Sequence, residues 1–112
     1  MNISGFIRGY MAKKLSTKDF LDKVLDILSK EFELTYSYEE TDKNFLINLG
    51  EYTFEISKTE AKSNQEKGAF SLDRYILKLM EEKGFYYDVN RSQYIEYCNG
   101  IYKNCTVVKI NE

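Results

Sequence analysis

The chain has 112 residues, of which 43% are hydrophobic and 30% charged, and its formal net charge is −2. That composition suits one domain with one core, excludes a disordered chain, and weighs against a nonspecific polyanion binder. No apolar run approaches the roughly 20 residues of a membrane span, and MNISGFIRGY at the start lacks the apolar region of a signal peptide, so a cytoplasmic setting without membrane partners is expected.

Catalytic chemistry finds little support. Histidine is absent, which removes the usual general base near neutral pH. Gly5 and Gly9 do not make a phosphate loop, and no spacing singles out a catalytic carboxylate pair. Cys98 and Cys105 fit no metal pattern; without an export signal they read as free thiols, with a bridge between them left open. The expectation is a protein that is not an enzyme and needs no cofactor and no metal.

Charge is unevenly spread. Glu31, Glu33, Glu39, Glu40, Asp42, Glu51 and Glu55 face only Lys43 between Glu31 and Ile56. The remainder is net positive, so a basic face is compatible with a near-neutral total.

In chain order, residues 1–10 read as an irregular, dispensable lead-in, because Met11-Ala-Lys-Lys resembles an alternative start; residues 11–112 form the single domain. Ser16-Thr17-Lys18-Asp19 resembles a capping box. After it, Phe20, Leu21, Val24, Leu25, Leu28 and Phe32 recur at helical spacing, which predicts an amphipathic helix from about Thr17 to Phe32. Leu34, Tyr36 and Tyr38 alternate, Thr41-Asp42-Lys43-Asn44 is a polar turn, and Phe45–Leu49 and Tyr52–Ile56 are two more short strands around Gly50. Together they predict an antiparallel meander with an acidic wet face.

Ser57 to Gly68 predicts a short, mostly exposed helix. Ser71 then reads as an N-cap, with Leu72, Tyr75, Ile76, Leu79 and Met80 on one face and Asp73, Arg74, Leu77, Lys78 and Glu81 on the other. Gly84 is the expected stop. Tyr87 and Val89, then Tyr94 and Ile95, predict two strands around Asn90-Arg91-Ser92. Asn99-Gly100 reads as a hairpin turn, and Thr106–Ile110 as a last strand.

A helix, a glycine stop and a hairpin, in that order, end a winged helix-turn-helix. The pattern Ser71, Arg74, Ile76, Leu79 (or Met80), Gly84, Phe85 resembles the third helix of winged-helix proteins over the C-terminal half of the chain. The three-strand insertion departs from their commonest order, which has a single short strand there. The resemblance implies an α+β winged fold of about three helices and an antiparallel sheet with wing. It also implies binding to double-stranded DNA. Ser71, Arg74 and Arg91 would touch bases, with Asn90, Ser92 and Gln93 beside Arg91 on the wing. Lys58, Lys62, Lys67 and Lys78 would hold phosphates. The small size, the Lys/Glu/Asn/Tyr-rich composition and the element order also resemble the TcpK-like relaxosome accessory family of Gram-positive conjugative plasmids. That likeness implies a cytoplasmic homodimer at an origin of transfer, assisting a relaxase or another plasmid-transfer protein. Leu77 or the C-terminal strands would supply the dimer contact.

Two other readings stand beside this one. Arg74 and Lys78 are also what any solvated helix face carries. The acidic segment, with its tyrosines, suits a small inhibitor, immunity or anti-defence protein that acts by protein contact.

Overall fold

The structure is a computed structural model and describes residues 5–101. Its elements, in order, are α1 (Gly5–Lys14), α2 (Thr17–Phe32), β1 (Tyr36–Glu40), β2 (Asn44–Leu49), β3 (Tyr52–Ser57), α3 (Lys58–Lys67), α4 (Ser71–Glu81) and α5 (Gln93–Cys98). The fold is α+β, with one antiparallel sheet of order β1-β2-β3.

Local chemistry accounts for α2. The Ser16 hydroxyl accepts the Asp19 N–H at 3.1 Å, which satisfies one of the unpaired donors of the first turn. Phe20, Leu21, Val24, Leu25 and Leu28 then fall on one stripe and are fully buried. The helix ends where Glu33 turns left-handed, at φ 56°, and the Leu34 N–H reaches back to the Ser29 carbonyl at 2.8 Å.

Strict alternation makes the sheet two-faced. Phe45, Ile47, Leu49, Phe54 and Ile56 point into the core. On the open face the register lines up Ser37, Asn48 and Thr53 in one row and Glu39, Leu46 and Glu55 in the next. Helices cover the apolar face, where α2, α3 and α4 also pack on one another.

Several expectations need correction. The first residues are not an irregular lead-in, because α1 is helical from Gly5 and its Arg8 is fully buried. Five helices, not three, occur among the described residues. Leu77 and Asp73 are buried rather than outward, so Leu77 is no dimer contact. Helix α4 is capped by Phe70, with no side-chain hydrogen bond, and Ser71 is its first residue.

The expected C-terminal hairpin does not form. After Gly84 the chain runs irregularly to Ser92, then makes the short helix α5, with Tyr94, Ile95 and Cys98 buried. Asn99-Gly100 closes that helix instead of turning a hairpin. The Ile101 N–H bonds the Glu96 carbonyl at 2.8 Å and the Gly100 N–H bonds Tyr97 at 3.1 Å, a Schellman pair with Gly100 at φ 75°. Gly84 stops α4 in the same way, as expected: Phe85 bonds Met80 at 3.1 Å and Gly84 bonds Glu81 at 3.0 Å. Cys105 and the strand expected over Thr106–Ile110 lie outside the described residues.

Candidate nucleic-acid interface

Helices α3 and α4 are joined by the three residues Gly68, Ala69 and Phe70, the connection length of a helix-turn-helix pair. Ser57 caps α3 by accepting the Glu60 N–H at 3.0 Å. Few apolar residues hold this helix down, so polar side chains do. Gln65 donates to the Ala12 and Leu15 carbonyls, at 2.9 Å each, and accepts from the Thr17 hydroxyl at 2.8 Å. The Ser71 hydroxyl donates to Asn64 Oδ1 at 3.2 Å and ties the start of α4 to α3. Helix α4 is held conventionally, with Leu72, Ile76, Leu77 and Met80 buried.

A buried ionic cluster fixes the turn. Arg8 Nη1 and Nη2 bind the two Asp73 carboxylate oxygens at 2.5 and 2.7 Å. Arg8 Nη1 also bonds the Ala69 carbonyl at 2.9 Å, within the turn itself. The guanidinium lies between the Phe20 and Phe70 rings, 5.5 and 5.1 Å from their centroids. The Tyr94 hydroxyl donates to Asp73 from α5. Burial works against the charge on Arg8, but the hydrogen bond and charge of Asp73 more than offset it and hold the group protonated. Burial, reinforced by the Asp73 charge, pushes the Tyr94 hydroxyl and the neighbouring Cys98 thiol well up. Neither is poised to react.

Ser71 and Arg74 come together in a shallow groove with Phe70, Tyr97 and Gly100. Lys78 is exposed one turn further along α4, and Lys62 and Lys67 are exposed on α3. Acids are interleaved with them. Glu60 accepts from the Tyr75 hydroxyl, and that bond raises the Tyr75 pKa to about 12. Lys58 is not free, since its ammonium lies 2.6 Å from Glu40.

The expected wing contacts are not assembled there. Arg91 donates to the Glu31 carboxylate at 2.8 Å and to its carbonyl at 3.0 Å, and stacks 4.5 Å over Phe32. The Ser92 hydroxyl donates to Glu31 and accepts the Ile95 N–H as the cap of α5, both at 3.1 Å. The Asn90 N–H bonds the Asp88 side chain at 3.0 Å in a local turn, and Gln93 begins α5. The cause lies beneath this segment. Phe85 and Tyr87 pack edge-on against Phe32, at 5.0 and 5.7 Å, and draw the segment onto the end of α2.

The acids of the second quarter divide between ion pairs and the open sheet face. Glu31 and Glu40 are spent in ion pairs, while Glu39 and Glu55 flank Leu46 on the open sheet face. Arg8, Asp73 and Tyr94 were not singled out from the sequence. The one trace of them was Leu77, which shares a stripe of α4 with Asp73 and would otherwise have been an exposed leucine. No protein-family model, curated protein or solved structure matches this chain.

Proposed function

We propose that this chain binds double-stranded DNA through the α3–turn–α4 pair, as a helix-turn-helix protein without enzymatic activity. One observation carries the reading. A short, glycine-opened turn joins two packed helices and is locked from inside by Arg8, while Arg74 and Lys78 are left exposed on the outer side of the second helix. Arg74 offers the fork that matches guanine, and Lys62, Lys67 and Lys78 offer phosphate contacts. In a winged form of this fold the hairpin would be β2–β3, which precedes the pair, because residues 86–98 supply none. Pairing two copies would lengthen the site and raise affinity, and Ile7 and Tyr10 of α1 offer exposed apolar surface for such contact. The likeness to relaxosome accessory proteins makes plasmid transfer origins the first duplexes to try.

The test is fluorescence anisotropy with labelled duplexes, plasmid intergenic DNA among them, across a salt series. Saturable binding to a subset of duplexes is expected. Arg74→Ala with Lys78→Ala should weaken it by roughly tenfold or more, since a base-reading arginine is worth about 1–3 kcal/mol. No binding at low salt, or unchanged affinity in the double variant, overturns the reading. Weight would then pass to an inhibitor or immunity protein acting through the open sheet face, and a cationic protein partner would be sought by pull-down.

A further inference from the structure

Lys18 of α2 and Lys58 of α3 reach the end of the sheet where β1 turns into β2, and Lys43 lies in that turn. Lys58 opens α3; its ammonium sits 2.6 Å from Glu40 and 5.8 Å from the Phe45 ring centroid. Lys18 comes from the first turn of α2, with its ammonium 5.9 Å from the Tyr38 ring centroid. The Tyr38 and Phe45 rings are themselves neighbours, 6.2 Å apart, so the two cations stand over adjoining aromatics. Lys43 lies in the turn between β1 and β2, and its carbonyl accepts the Lys58 N–H at 2.8 Å. Lys62 follows one turn along α3. Lys18, Lys43 and Lys62 are all exposed.

Acids occur here too: Glu40 at the centre, Glu39 and Asp42 beside it in sequence, and Asp22 on α2, which accepts from the Tyr36 hydroxyl at 3.2 Å. Glu40 meets lysines of two elements, since Lys58 of α3 binds it and the charge of Lys18 of α2 reaches it. The hydrogen bond from Lys58, with the charges of Lys58 and Lys18, draws the Glu40 carboxyl below the ordinary carboxylate range. Ammonium groups spread over two helices and a turn suit a row of phosphates better than one small anion, because each can meet a different phosphate of the strand.

We propose that Lys18 and Lys43, together with Lys58 and Lys62, form a second contact with the DNA phosphate backbone, so that the duplex footprint extends from α4 to the β1–β2 end of the sheet. Glu40 holds Lys58 in place in the free protein and yields it to a phosphate on binding. This rests on the DNA reading above.

The test compares wild type, Lys18→Gln/Lys43→Gln and Glu40→Gln in the same salt series. Each lost phosphate contact makes the plot of log K against log salt shallower by about 0.9, so the double variant should lose about 2 from the slope. Glu40→Gln should bind more tightly than wild type, a gain that misfolding cannot produce. Circular dichroism checks that the folds match. A slope unchanged in the double variant, or unchanged or weaker binding by Glu40→Gln, overturns the second contact. If Arg74→Ala/Lys78→Ala still weakens binding in that case, the helix-turn-helix reading survives without it. Absence of salt-dependent binding by wild type overturns both. An A-form RNA duplex of the same sequence is run alongside, and tighter binding to it would overturn DNA as the occupant.

Discussion

Arg8→Met is the sharpest test of the core. Methionine keeps the length and much of the contact with Phe20 and Phe70 but leaves the Asp73 carboxylate buried, with the Tyr94 hydroxyl as its remaining side-chain donor among the described residues. Removing one partner of a buried ion pair costs about 3–5 kcal/mol. The Ala69 carbonyl, losing its donor, adds about 1 kcal/mol. Against a typical domain stability of about 5–15 kcal/mol this is a large fraction, and the melting temperature should fall by on the order of 15 °C.

Urea unfolding measures the loss, and removing the stranded partners identifies its cause. Arg8→Met/Asp73→Leu/Tyr94→Phe removes the cation, the carboxylate and the hydroxyl together, and should regain most of the stability. A loss below about 1 kcal/mol, or a triple variant no more stable than Arg8→Met, refutes the argument that this pair holds α1 to the core.

Two further outcomes follow from the geometry. Glu33→Gly should stabilise the fold by about 0.5–1 kcal/mol, read as a raised urea midpoint, because Glu33 carries a side chain at φ 56° where glycine meets no penalty. Stability should also fall above pH 8.5: below the ordinary thiol range both states hold the proton, but above it the unfolded chain ionises while burial keeps Cys98 protonated. Cys98→Ala should flatten the onset of that decline in urea midpoints measured from pH 8 to pH 10.

What the sequence made legible, and what it hid, divides by range. Helix α2 could be read because sixteen residues give the apolar stripe room to repeat and a serine marks its start. The meander could be read because alternation and a polar turn agree. Helix α5 could not. Six residues hold too little of a 3.6-residue period, and Tyr94, Ile95 and Tyr97 favour strands by local propensity. Asn99-Gly100 was ambiguous in principle, because a tight hairpin and a Schellman stop both require a residue at positive φ. Only the presence or absence of a partner strand decides between them, and residues 86–91 are drawn away by Phe32.

Helix α1 was hidden for a different reason. An arginine is almost never fully buried unless paired, and the carboxylate that pairs with Arg8 is 65 residues away. No local pattern can announce such a contact. Its consequence reaches the candidate interface, because the same guanidinium that neutralises Asp73 also holds the Ala69 carbonyl in the turn between α3 and α4. The outward set of Arg74 and Lys78 therefore depends on α1, a helix far earlier in the chain. A protein begun at Met11 would lose Arg8, strand Asp73 and free that turn, so its failure to bind DNA would report a broken scaffold and say nothing about the face that α4 presents.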